Sequence, residues 1–111
     1  MPIVEFRTHR EEPLVVDRKA MSVTVRGQWV PMSLGRFRVL CYLLDHEGEM
    51  ITHEAIFRVS SGYDYPSPQT NRERLASNSR NLISRLREQL AGSGVQFLPM
   101  RGVGYRLERS E

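Results

Sequence analysis

From Thr70 to Gly92 the chain reads TNRERLASNSRNLISRLREQLAG, with its large apolar residues at helical spacing. At about 100° per residue, Leu75, Leu82, Ile83, Leu86 and Leu90 fall within an arc of roughly 100°. One face is therefore built for burial. The other carries Arg74, Ser77, Asn78, Arg80, Asn81, Ser84, Arg85 and Arg87 and no large apolar group. Such a face donates hydrogen bonds to anions and to base edges. All its cations are arginines, whose planar fork fits phosphate and guanine better than a lysine ammonium does. Asn78 and Asn81 are poor helix formers, so their place in mid-helix calls for a reason other than propensity. A merely solvated arginine-rich face is the plain alternative. Thr70 with Glu73 makes a capping box, and Gly92 stands where a left-handed C-cap belongs, which predicts a helix over about residues 71–91.

Before this helix the pattern is first that of strands. Ile3-Val4-Glu5-Phe6 is a short apolar run, followed by a charged segment and Pro13. Leu14 to Asp17, then Met21 to Arg26 with alternation at Met21, Val23 and Val25, then Gln28 to Val30 read as a small antiparallel sheet turned at Arg26-Gly27-Gln28. Trp29 is expected to pack against the following helix. Ser33 caps that helix, whose predicted buried stripe is Phe37, Leu40, Cys41 and Leu44, and Gly48 supplies the turn beyond it. Thr52 caps a second helix over His53 to Val59, burying Ile56 and Phe57. A loop rich in turn formers spans Ser60 to Gln69, where Tyr63 and Tyr65 either pack over the domain or face a partner. After the long helix, Gln96 to Leu98 and Tyr105 to Leu107 are strands of a hairpin whose turn carries Arg101. Gly102 and Gly104 lack the following helix and the Gly-Lys-Ser/Thr of a phosphate loop. An exposed arginine on a hairpin tip suits a minor groove.

With 111 residues, 40% of them hydrophobic and 26% charged, the chain suits one small domain with a modest core. No apolar run reaches the roughly 18 residues of a membrane span and no signal-peptide pattern opens the chain, so a cytoplasmic protein without membrane contact is expected. The single cysteine, Cys41, excludes an internal disulfide and reads as a buried thiol. Net charge is +3 but unevenly placed: residues 72–111 hold eight Arg against four Glu. A polyanion on that side is the partner such asymmetry favours. His9, His46 and His53 lack metal-ligand spacing and read as surface residues, and no metal site, cofactor or catalytic constellation is expected. The chain does not read as an enzyme.

Several segments together resemble the OmpR/PhoB family, the DNA-binding effector domains of bacterial response regulators. Leu82-Ile83-Ser84-Arg85-Leu86-Arg87-Glu88-Gln89-Leu90 is similar to the end of that family's recognition helix, approximately I-x-x-L-R-x-K-L. Arg101-Gly102-Val103-Gly104-Tyr105-Arg106-Leu107 matches the family's wing without a mismatch. Phe37 to Leu44, His46-x-Gly48 and Gly62-Tyr63-Asp64-Tyr65 also resemble family positions. The similarity runs from roughly Leu14 to Glu108. It implies an α+β fold, a winged helix-turn-helix with an N-terminal antiparallel sheet, three helices and a C-terminal β-hairpin wing. Residues 1–13 would form an N-terminal strand and linker segment, and residues 14–109 the winged domain.

The resemblance further implies that the third helix enters the major groove of double-stranded DNA through Ser77, Asn78, Asn81, Ser84 and Arg85. Arg80 and Arg87 would lie toward phosphates, Arg101 would reach the minor groove, and Arg74 belongs to the same DNA-binding set. The loop with Tyr63 and Tyr65 would touch RNA polymerase, and two copies would bind in tandem or as a homodimer. Ser77-Asn78-Ser79-Arg80 stands where the family usually has R-T-V-D, so an altered sequence preference is expected. Between Tyr65 and Ser77 the chain is several residues longer than usual. No phosphoacceptor domain is present in the sequence, and an excised effector domain of a transcription regulator is the favoured reading. A winged helix given over to protein–protein contact is the competing one.

Overall fold

The computed structural model describes residues 12–62 and 72–110. Tyr63 and Tyr65, the Ile3 to Phe6 segment and the capping residue Thr70 lie outside these. Strands β1 (Leu14–Asp17), β2 (Ser22–Val25) and β3 (Gln28–Trp29) form an antiparallel sheet in that order. Helix α1 (Leu34–Asp45) follows, then strand β4 (Met50–Thr52), helix α2 (His53–Ser61) and helix α3 (Arg72–Gln89). Strands β5 (Val95–Met100) and β6 (Gly104–Arg109) close the chain as a hairpin, and β4 adds to it so that β6 is central in a second antiparallel sheet.

The starts of α1 and α2 follow from the capping chemistry read in the sequence, while α2 runs on to Ser61, beyond the expected end at Val59. Ser33 Oγ accepts the Arg36 amide at 3.3 Å, and Thr52 Oγ1 accepts the Ala55 amide at 3.1 Å. Gly62 ends α2 in the left-handed region, at φ +79°. In the first hairpin Arg26 and Gly27 both have positive φ, +50° and +84°, the geometry of a tight primed turn. A non-glycine residue is unusual there. Arg26 is held by its backbone amide on the Pro13 carbonyl at 3.1 Å and by its side chain on the Gly92 carbonyl at 2.9 Å.

Among the described residues the core joins the three helices to both sheets. Val23 and Val25 come from β2, Val39, Leu40 and Leu43 from α1, Ile51 from β4 and Ile56 from α2. Ile83, Leu86 and Leu90 come from α3 and its C-terminal end, and Phe97, Tyr105 and Leu107 from the hairpin. The buried face of α1 differs from the expected stripe. Phe37 and Leu40 are buried as expected, but Val39 and Leu43 are buried with them, and Cys41 and Leu44 are half-buried at the edge. The cause is that α1 is covered from more than one side, by β6 and by the other helices. Phe57 is half-buried instead of buried.

Met21 and Trp29 depart further from expectation. Met21 is 54% exposed, in the turn before β2 and at positive φ, and so does not continue the strand alternation. Trp29 is 67% exposed and does not pack on α1. Register explains this. Trp29 pairs with Thr24, and directly paired residues of antiparallel strands share a face, whereas Val23 and Val25 point to the core from the other face.

Strand β4 was not anticipated at all. Its pairing of Ile51 with Tyr105 and Thr52 with Gly104 brings the turn end of the hairpin flush against the entry to α2. A Cβ at Gly104 would lie 1.8 Å from the Ile51 carbonyl oxygen, so this contact admits no side chain. Because that obstacle is backbone, relief requires displacing β4 from β6. Gly104→Ala is therefore expected to destabilise the domain by about 3 kcal/mol, the upper range for overpacking, as read from a lower urea midpoint.

Candidate nucleic-acid interface

Helix α3 lies with Ile83, Leu86 and Leu90 sealed at 0%, 0% and 2% exposure, which turns its opposite side outward. Asn78, Arg80, Asn81, Ser84, Arg85 and Arg74 are exposed, and Ser77 is half-buried. They fall into two adjoining depressions. Arg74, Ser77, Asn78 and Arg80 line one together with Glu73. Asn81, Ser84 and Arg85 line the other, a groove walled by Ser33, Gly35 and Arg36 at the start of α1 and by Ser60 and Ser61 at the end of α2. Arg36, Ser60 and Ser61 were not among the sequence candidates. They come to the groove only because α1 and α2 converge on α3, which no local pattern announces.

Leu75 and Leu82 are half-buried, at the end and edge of the apolar arc. Leu75 borders a hollow between the start of α2 and the turn of the β5–β6 hairpin, with Thr52, His53, Gly102 and Val103 around it. The first turns of α3 thus stand beyond the core.

Arg87 sits on the flank of α3 nearest the hairpin. Its guanidinium donates to the Phe97 carbonyl at 2.6 Å, and its central carbon lies 5.8 Å from the Tyr105 ring centre. Arg87 is thus held on the domain's own wing strands while its side chain stays exposed. Arg101 is exposed in the turn between β5 and β6, followed by Gly102 at φ +78°. This turn is tied down from inside: the Val103 amide donates to the Met100 carbonyl at 3.0 Å, and the Val103 carbonyl accepts the His53 amide at 2.9 Å.

His53 is not the surface residue the sequence suggested. It is half-buried as the first residue of α2, its Nδ1 is 2.6 Å from Ser79 Oγ, and its ring meets Tyr105 edge-on at 5.8 Å between centres. Ser79 is 2% exposed. A signal for Ser79 existed, because its helical angle falls near the middle of the apolar arc, where a hydroxyl needs a partner. Nothing local pointed to His53 as that partner. At the far end α3 is anchored by Gln89, whose side-chain amide donates to the Pro31 carbonyl at 2.6 Å.

A helix with an uncovered polar face, braced by two preceding helices and flanked by a hairpin whose tip carries an arginine, defines a winged helix-turn-helix. No family model matches the chain. The response regulator SaeR of Staphylococcus epidermidis is 32% identical over 103 residues, a match covering 87% of this chain and 41% of SaeR. The chain thus spans less than half the length of that relative. Among solved structures, the DNA-binding domain of CpxR from Escherichia coli superposes with a TM-score of 0.70 at 21% identity, covering 90% of this chain and 94% of that one. The RstA DNA-binding domain of Klebsiella pneumoniae, solved in complex with the RstA box, gives 0.67 at 23% identity, covering 86% of this chain and 91% of that one. The chain is a winged helix-turn-helix domain of the OmpR/PhoB type.

Burial, and after it the nearby positive charge of Arg80, pushes the His53 imidazole below its ordinary pKa of 6.5. A histidine shifted down is charged more readily in the unfolded chain, so its contribution to stability is complete above that ordinary value. It is lost as pH falls toward the lowered folded value. The melting temperature is therefore expected to drop on acidification from about pH 7.5 to about pH 5.5. His53→Asn should show a shallower drop over the same interval, measured by thermal unfolding.

Proposed function

We propose that this chain binds double-stranded DNA in a sequence-dependent manner, with α3 in the major groove and the β5–β6 wing against the neighbouring minor groove. The observation that carries the reading is the uncovered polar face of α3, lying beside an exposed arginine on a wing tip that the rest of the fold holds in place. An α-helix fits the major groove, and Asn and Arg there have the donors and acceptors that distinguish adenine and guanine. Asn78, Asn81, Ser84 and Arg85 are assigned to base edges, with Ser77 beside them. Arg74, Arg80 and Arg36 are assigned to phosphates and Arg101 to the minor groove. Arg87, held by Phe97 and Tyr105, acts in this scheme mainly by fixing the helix against the wing. The role is binding within a bacterial transcription regulator, and so a cytoplasmic one. Tandem or homodimeric occupation of DNA and contact with RNA polymerase belong to the same reading.

Selection from random duplexes, followed by titration of the enriched site and of a scrambled one, tests it. A defined motif bound about a thousandfold more tightly than the scrambled duplex is the expected result. Failure to enrich any motif would overturn the reading and leave a protein partner as the ligand of this face. Arg101→Ala should weaken binding to every duplex and lower the salt slope by about one, because one fewer phosphate counterion is released. Asn81→Ala should instead change preference at one base position by about 1–3 kcal/mol, with the salt slope unchanged.

A further inference from the structure

The contacts of His53 join three parts of the molecule that the binding reading needs to act together. Its ring nitrogen meets Ser79 on α3 at 2.6 Å, its backbone amide bonds the wing-turn carbonyl of Val103 at 2.9 Å, and its ring packs against Tyr105 of β6. Two turns further along α3, Arg87 makes the second connection to the wing, through Phe97 and Tyr105. Helix and wing are thus joined at two points, one hydrogen-bonded through a third element and one direct. Close by, the backbone of Gly104, next to the wing turn, packs directly on the Ile51 carbonyl with no room for a side chain.

We propose that Ser79 and His53 are positioning residues for DNA recognition: their hydrogen bond sets α3 and the Arg101 wing tip at the spacing at which both reach one duplex. This rests on the DNA-binding reading above. The physical reason is preorganisation. A helix and a wing tip that move independently must be ordered when DNA binds, and that ordering is subtracted from the affinity. Neither residue touches DNA in this scheme. Ser79 is sealed inside, and the hydroxyl of a buried serine contributes through the partner it finds. Ser79 occupies the place of the valine in the R-T-V-D pattern, so this chain has a polar link where an apolar side chain usually stands.

Ser79→Val provides the test, because valine suits a buried site and removes only the link. Affinities for the selected duplex are measured for wild type, Ser79→Val, Arg101→Ala and the double variant, together with amide hydrogen exchange of His53 in each free protein. Ser79→Val is expected to lower affinity for the selected duplex about fivefold, the worth of one hydrogen bond, with little change on a scrambled duplex. In the Ser79→Val background the penalty of Arg101→Ala should shrink by about threefold or more, the signature of coupled positions. The His53 amide, bonded to the wing, should exchange about fivefold faster although the substitution is on α3. His53→Asn, whose amide can still bond the serine hydroxyl, should bind nearer to wild type than His53→Leu does.

Penalties that simply multiply, or an unchanged His53 amide, would overturn the proposal, as would His53→Asn and His53→Leu behaving alike. Failure of the underlying reading appears elsewhere, in the wild-type titration alone, as equal affinity for selected and scrambled duplexes. The exchange measurement needs no DNA and decides the helix-to-wing link in either case.

Discussion

The placement of Ile83, Leu86 and Leu90 against the remaining core is the constraint from which the other features follow. These side chains are wholly or almost wholly removed from water, and burying each contributes on the order of 2 kcal/mol. Rotating α3 by even a quarter turn would bring arginine and asparagine inward, at the cost of burying unpaired polar groups. The rotation of the helix is therefore set by what it hides. What it presents outward is the remainder, and the remainder is the row of amide and guanidinium groups on which the proposed function depends. Packing energy thus orients a surface to which it makes no direct contribution.

That orientation would be of little use if the wing were free to wander. Three contacts of different kinds restrain it: the steric exclusion at Gly104, the carbonyl of Val103 on the first amide of α2, and Arg87 against β5 and β6. Each alone is modest. Together they connect the hairpin to α2 and α3 by backbone packing, backbone hydrogen bonding and a charged side chain, so no single perturbation removes all three. At the opposite end Arg26 and Gln89 tie α3 and the residues following it to the first sheet and the segment leading into α1. The long helix is thus seated at both ends, while its middle polar face stays uncovered.

How far the sequence could be read depended on whether the relevant interaction was local. The α3 arc, the Ser33 and Thr52 caps and the Arg26-Gly27 turn are all settled within a few residues, and they are where the reading placed them. Strand β4 was not legible, because three residues make a strand only when β6, some fifty positions later, lends them hydrogen bonds. Trp29 was misjudged for a similar reason. Its chemistry argued for burial, and only the pairing with Thr24 decides which face of the sheet it occupies. Within the interface the exposed residues of α3 followed from the helical period. The internal commitment of Arg87 and the Ser79–His53 pair did not, since both depend on partners brought close by the chain's return.

The position of Trp29 has a consequence for how this molecule can be observed. It is the single tryptophan, it stands 67% exposed on the outer face of the first sheet, and it takes no part in the contacts of His53, Arg87 and Tyr105 that join α3 to the wing. Its indole is already largely hydrated in the native state, so its fluorescence spectrum has little room to shift when the chain unfolds. Standing outside those contacts, it is a poor reporter of events at the wing. Tyr105, buried between His53 and Arg87, occupies the spectroscopically informative place, and the near-ultraviolet dichroism of tyrosine is the native signal that follows the helix–wing junction.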